Sequence, residues 1–169
     1  VQRVSMSPHM RIGVLGALSL LMAAGLTASP AMTTPAHAAY GPCNTTSWRD
    51  VPTLGGKNDY KIPARSGNGI SCYLSYYEGS SSAVEALQQA ITICYPGTWA
   101  STKIHNSGGV DGVYGTGVVE AVRWLQINKL NLAGSADGAY GPQTRGKMRW
   151  PHYYDRGALL NSCSNPSTL

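Results

Sequence analysis

One five-residue pattern occurs twice, as Asp111-Gly112-Val113-Tyr114-Gly115 and as Asp137-Gly138-Ala139-Tyr140-Gly141, each time directly ahead of a helical pattern. The chemistry of such a turn is local. The Asp carboxylate accepts amide hydrogens one or two residues on, the first Gly takes a positive φ beside it, and the second Gly lets the chain swing into a helix. The aromatic between them can fold back onto the helices. After the first copy, Val118, Val119, Val122 and Leu125 recur at helical spacing through about Gln126, and Leu130 and Leu132 anchor the exit loop. After the second, Pro142 stands at a first helical position, where no amide is needed, and a short helix through Met148 is predicted. Gly146 weakens that helix by about 1 kcal/mol relative to Ala.

A third helix precedes both turns. Ser82 followed by Glu85 reads as a capping box, and Val84, Leu87, Ile91 and Cys94 lie on one face until Tyr95-Pro96-Gly97 stops the pattern. Trp99 to Gly109, rich in Ser, Asn and Gly, reads as a loop. From Ala39 to about Gly79, prolines and the pairs Gly55-Gly56 and Gly67-Asn68-Gly69 interrupt every apolar run, so this stretch reads as irregular, with Ile70 to Tyr77 its best strand candidate. The tail from Pro151 to Leu169 also reads as irregular.

The first residues bear on the compartment. Met10 and Arg11 open an apolar, uncharged run from Ile12 to Leu26, and Ala36-His37-Ala38 is a small-x-small site, the pattern of a secretory signal peptide cut after Ala38. The run is shorter than the roughly 20 residues a membrane-crossing helix needs, so no stable membrane anchor is expected after cleavage. Charged residues make up only 12% of the chain, and the net charge of +5 falls when Arg3 and Arg11 leave with the leader. Lys and Arg never form a run, which argues against nucleic acid, although a weakly basic surface suits an anionic polymer.

Cys43, Cys72, Cys94 and Cys163 all follow the leader, and an exported chain with an even number of cysteines should hold two disulfides. Three pairings are possible and the sequence does not choose between them. Cys43 with Cys72 and Cys94 with Cys163 is the favoured set, closing the extension and tying the tail to a helix. No C-x-x-C or close Cys/His pair suggests a metal, and no cofactor is expected.

A catalytic centre has little material. Gly-x-Ser-x-Gly is absent, and His105 and His152 are the histidines left after processing. Asp111 and Asp137 each stand alone, unlike the alternating carboxylates of a calcium loop, and both already have a turn to hold. Tyr and Trp carry more promise, because amphipathic rings cover the apolar faces of sugars while their polar tips reach hydroxyls. Tyr76, Tyr77, Trp99, Tyr153 and Tyr154 fall in predicted loops or at helix ends, and Arg123 and Arg145 lie on helix faces beside the turns, where they could pair with carboxylates.

In order, Val84-Glu85-Ala86-Leu87-Gln88, the first turn, Glu120-Ala121-Val122-Arg123-Trp124-Leu125-Gln126, and the second turn with Gly141-Pro142-Gln143-Thr144 resemble the peptidoglycan-binding-domain family, the three-helix modules attached to many bacterial wall hydrolases. Val118 replaces the family's helix-starting Thr, Lys129-Leu130-Asn131-Leu132 replaces a Gly-Leu pair, and the loop before Asp111 is long. The resemblance implies core positions for Tyr114, Tyr140 and Trp124, and peptidoglycan, as glycan or stem peptide, as the partner. The expected architecture is all-α: a small three-helix bundle at 80–150 behind a signal peptide (1–38) and an irregular, disulfide-stapled extension (39–79), with a tail at 151–169. The expected function is secreted, non-catalytic wall binding, Tyr76, Tyr77, Trp99, Arg123 and Arg145 being the candidate contacts. A wall hydrolase or an accessory subunit of one, and a disulfide-stabilised inhibitor or interaction protein, are the rivals.

Overall fold

A computed structural model describes residues 40–52, 57–67 and 69–166, so the leader expected at 1–38 lies outside the described residues. Within them the chain is not all-α. Strands β1 (Thr45–Asp50), β2 (Asn58–Ala64), β3 (Trp150–Tyr154) and β4 (Ala158–Ser164) form one antiparallel sheet in the order β1-β2-β3-β4. The stretches expected to be irregular on either side of the helices therefore supply two hairpins, and these meet where Asn58, Asp59 and Tyr60 pair with Tyr154, Tyr153 and His152. The reason is burial: Tyr60 and Ile62 of β2 and Trp150 of β3 are each at most 1% exposed, in the same core as Leu87 and Ile91. That apolar surface outweighs the propensity cost of Pro63 and Pro151.

Among the described residues four α-helices accompany the sheet: α1 (Ser81–Cys94), α2 (Trp99–Asn106), α3 (Thr116–Asn128) and α4 (Pro142–Lys147), with a 3-10 turn at Ala133–Ser135. Helix α1 contacts all four strands and also α2. Its N-cap is Ser80, whose hydroxyl accepts the Ala83 amide at 3.3 Å, two residues ahead of the Ser82 box expected from sequence. The long loop before the first turn contains α2, which Thr98 caps through the Ser101 amide. Ala100 and Ile104, one turn apart, are its buried residues, and Lys103 pairs with Glu120 of α3. Three helices thus become four because two well-placed apolar residues and a cap suffice once α1 and α3 offer a surface.

Ile70 to Tyr77 forms no strand. Leu74 instead exchanges two backbone hydrogen bonds with Tyr140, at 3.0 and 2.9 Å, and the Tyr77 amide donates to the Tyr114 carbonyl at 3.0 Å. This segment therefore touches both Asp-Gly turns. The disulfides are Cys43–Cys72, within the N-terminal part, and Cys94–Cys163, from the end of α1 to β4.

Candidate functional site

The two turns are built alike, each around a glutamine of an earlier helix. In the first, Asp111 Oδ1 accepts the Val113 amide at 2.9 Å. Gln88 of α1 then grips the loop from both ends of its amide: Oε1 accepts from the backbone N–H of Asp111 and Gly112 at 3.0 and 2.9 Å, and Nε2 donates to Asp111 Oδ1 and the Val113 carbonyl at 2.8 and 3.3 Å. The Gln88 bond and the Val113 amide together lower the carboxyl pKa of Asp111. In the second, Asp137 Oδ1 accepts the Ala139 amide at 2.9 Å, and Gln126 of α3 accepts from Gly138 N–H and donates to Asp137 Oδ1, the Ala139 carbonyl and Thr144 Oγ1. Val118, at the position matching Thr144, cannot accept such a bond and is buried instead.

Gly112 and Gly138 adopt φ of +73° and +77°, and a Cβ there would lie 2.9 Å from Ser81 Cβ and 2.6 Å from the Val119 carbonyl oxygen. Both therefore require glycine twice over, for conformation and for space. Gly115 and Gly141 do not: they are extended N-caps of α3 and α4 with open space at the missing Cβ, so the swing into the helix needs no left-handed residue.

Tyr114 and Tyr140 are buried, and burial raises both hydroxyl pKa values. Tyr114 Oη donates to the Gly138 carbonyl at 2.9 Å, tying the first turn to the second, whereas Tyr140 Oη is enclosed with no partner. Trp124 is only half-buried, contrary to a full core position, and stacks on Trp99 with ring centroids 6.4 Å apart.

The candidate contact residues separate into distinct places. Tyr76 and Tyr77 are 55% and 70% exposed and meet edge to face at 4.5 Å beside the first turn. Tyr77 holds φ of +56°, an uncommon conformation for a bulky residue, and the hydrogen bond from its N–H to the Tyr114 carbonyl holds its backbone there. Trp99 is 47% exposed but stands at the start of α2, just beyond the opposite end of α1. Arg123 is exposed and donates one Nη to the Asp137 carbonyl at 2.9 Å. Arg145 is not on an open helix face: it is 8% exposed, and its Nη1 donates to the Ile70 carbonyl at 2.6 Å, so it anchors the 70–77 segment. Tyr153 is likewise buried, its hydroxyl donating to Gln89 Oε1, while Tyr154 is exposed beneath Lys57.

Serine and histidine also meet across the sheet. His152 Nε2 lies 2.8 Å from Ser164 Oγ, its Nδ1 lies 2.9 Å from Ser162 Oγ, and Tyr60 Oη reaches the same Ser164 hydroxyl. Burial, helped by the Arg149 charge, lowers the pKa of His152. Hydroxyls of β4 engage both ring nitrogens and so brace β3 against β4, and among the described residues no carboxylate hydrogen-bonds to the ring. Among the described residues, no group of three or more His, Cys, Asp or Glu could hold a metal, and no helix is long and apolar enough to cross a membrane.

The helices and turns thus define a helical module in which a buried glutamine holds each Asp-Gly turn. Residues 80–148 match the family model of the putative peptidoglycan binding domain, a segment that runs from α1 through α4 and includes both turns. The sheet lies outside the match. No curated protein and no solved structure matches the chain. Gln88 and Gln126 stood in the motifs quoted for this resemblance, but nothing in their spacing assigned them the turns they hold.

Proposed function

We propose that the protein is a secreted, non-catalytic peptidoglycan-binding protein whose glycan-facing surface is the Tyr76–Tyr77 pair, with Arg123 supplying donors at the second turn. The observation that carries this reading is the family match over residues 80–148. The tyrosine pair is its natural contact: two exposed rings at right angles offer apolar faces to sugar rings and hydroxyls to their edges. The Tyr77 N–H is bonded to the Tyr114 carbonyl of the first turn, so less ordering is left for the ligand to impose. Two disulfides suit an oxidising compartment, in keeping with the leader pattern.

Cosedimentation of the purified mature protein with insoluble peptidoglycan tests the reading. The wild type is expected in the pellet, and Tyr76→Ala with Tyr77→Ala should weaken retention roughly tenfold or more, the scale of losing two exposed aromatic anchors. A wild-type protein that stays in the supernatant overturns the binding. Release of soluble dye from labelled sacculi overturns the non-catalytic part.

A further inference from the structure

At the far end of α1 from the tyrosine pair, four helix ends converge around a cleft of about 500 Å³. Cys94 and Tyr95 bring the end of α1, Thr98 the start of α2, Lys129 the end of α3 and Lys147 the end of α4, and Arg149 completes the lining. The volume lies in the range of small-ligand sites, roughly 300–1,000 Å³. Its charge is one-sided: three cations and no carboxylate line it. Arg149 is held in place, its amide donating to Tyr95 Oη at 2.7 Å and its Nη2 to the Cys163 carbonyl at 2.9 Å.

Cations at helix C-termini are often there to offset the helix dipole, each terminus carrying about half a negative charge. Three such termini meet here, but three full cations exceed them, and the N-terminus of α2 adds to the positive side. A net positive cleft remains. Beside it stand Trp99, adjacent to Thr98, and Trp124, whose ring lies 5.9 Å from Lys129 Nζ. An exposed indole next to a cationic cleft is a surface for a sugar that carries a negative group. The site is separate from Tyr76–Tyr77, because α1 has 14 residues and so spans about 21 Å.

We infer that this cleft, with Trp99 beside it, is a second binding site, for the phosphate or carboxylate groups of an anionic glycan polymer. Lys129, Lys147 and Arg149 take the anion, and Trp99 covers the sugar next to it.

Titration calorimetry of the full mature chain with phosphorylated dextran, polygalacturonate, uncharged dextran and inorganic polyphosphate tests the site. Binding of one or both anionic glycans, at least tenfold tighter than uncharged dextran, is expected, and the stronger of the two identifies the anion. Lys129→Gln with Lys147→Gln should weaken that binding roughly a hundredfold, about tenfold per charge-assisted contact. Trp99→Ala should weaken binding of the glycan but not of polyphosphate. Thermal unfolding of these variants should match the wild type, since all three side chains are exposed. Polyphosphate, which offers no sugar face to the Tyr76–Tyr77 rings, should bind unchanged in Tyr77→Ala, so that failure here and failure of the peptidoglycan reading are told apart. Equal binding of uncharged dextran, wild-type affinity in the double lysine variant, or polyphosphate bound as tightly as the glycans with Trp99→Ala silent on all of them would each overturn the site.

Discussion

A glutamine buried against an Asp-Gly turn has both ends of its amide in use, and its removal strands several partners at once. Gln126 is 2% exposed and serves Gly138, Asp137, Ala139 and Thr144. Gln126→Ala should therefore cost roughly 3 kcal/mol in urea unfolding, the scale of leaving more than one buried polar group unpaired. The two buried tyrosines give a sharper contrast. Tyr114→Phe removes the bond to the Gly138 carbonyl and should cost about 1–2 kcal/mol, whereas Tyr140→Phe removes a hydroxyl with no partner and should be neutral or stabilising. If the two variants unfold at the same denaturant concentration, the assignment of these hydroxyls is wrong. At this scale the sequence was partly readable. The role of Asp and Gly in each turn follows from local chemistry, but Gln88 acts on a turn 23 residues away, a distance no local rule covers.

The elements differ in how far they could be read. Helices α1, α3 and α4 are legible because each carries a local signal: an apolar face, a turn ahead of it, or Pro142 at its first position. Helix α2 has only Ala100 and Ile104 to bury, too few for a periodicity to register. The strands hide for another reason. Thr45–Asp50 is polar, β2 and β3 each contain a proline, and β3 carries an irregularity between Pro151 and Tyr153 where it pairs with β4. Pro63 lies beyond the short β2–β3 pairing, so its missing N–H costs no bond to β3. Their pairing is a long-range fact that no single segment announces.

The Cys94–Cys163 bridge spans 69 residues and joins α1 to the edge strand β4. On loop-closure entropy it is worth about 4 kcal/mol and the Cys43–Cys72 bridge somewhat less, about 3.5. Because the bridge also holds edge strand β4 to the end of α1, Cys94→Ala with Cys163→Ala should raise amide exchange in β3 and β4 before it does so in α3. Uniform exchange across the chain would contradict a bridge that acts chiefly on the hairpin.

Across the whole molecule, the hydrogen-bonded line from Tyr60 through Ser164 to His152 and Ser162 makes stability depend on pH. His152 is held neutral: burial puts its folded pKa below the ordinary value of 6.5. The unfolded chain therefore takes up a proton first as pH falls, so the stability contributed by neutral His152 is complete above about 6.5 and is lost as pH drops toward the folded value. Asp111, lowered by its hydrogen bonds, acts in a separate window, contributing above the ordinary carboxyl value and losing its contribution as pH falls through its depressed folded value. Melting temperature should fall between about pH 7 and pH 5, and His152→Gln should flatten that slope whatever it does to the absolute stability. An unchanged slope in the variant would remove His152 from the account.

The sheet joins residues from opposite ends of the helical region, with Asn58 beside Tyr154. A chain crossing a membrane with its N-terminus first would deliver the β1–β2 hairpin before the helices and its neighbour β3 after them. In the interval β2 presents an unsatisfied edge, and only the helical segment can begin to consolidate, since its contacts are closer in sequence. Completion of the sheet, and with it the Cys94–Cys163 bond, would thus follow the helices in such a crossing. A chain truncated at Arg149 should keep its helices able to form and leave its first hairpin open to other chains.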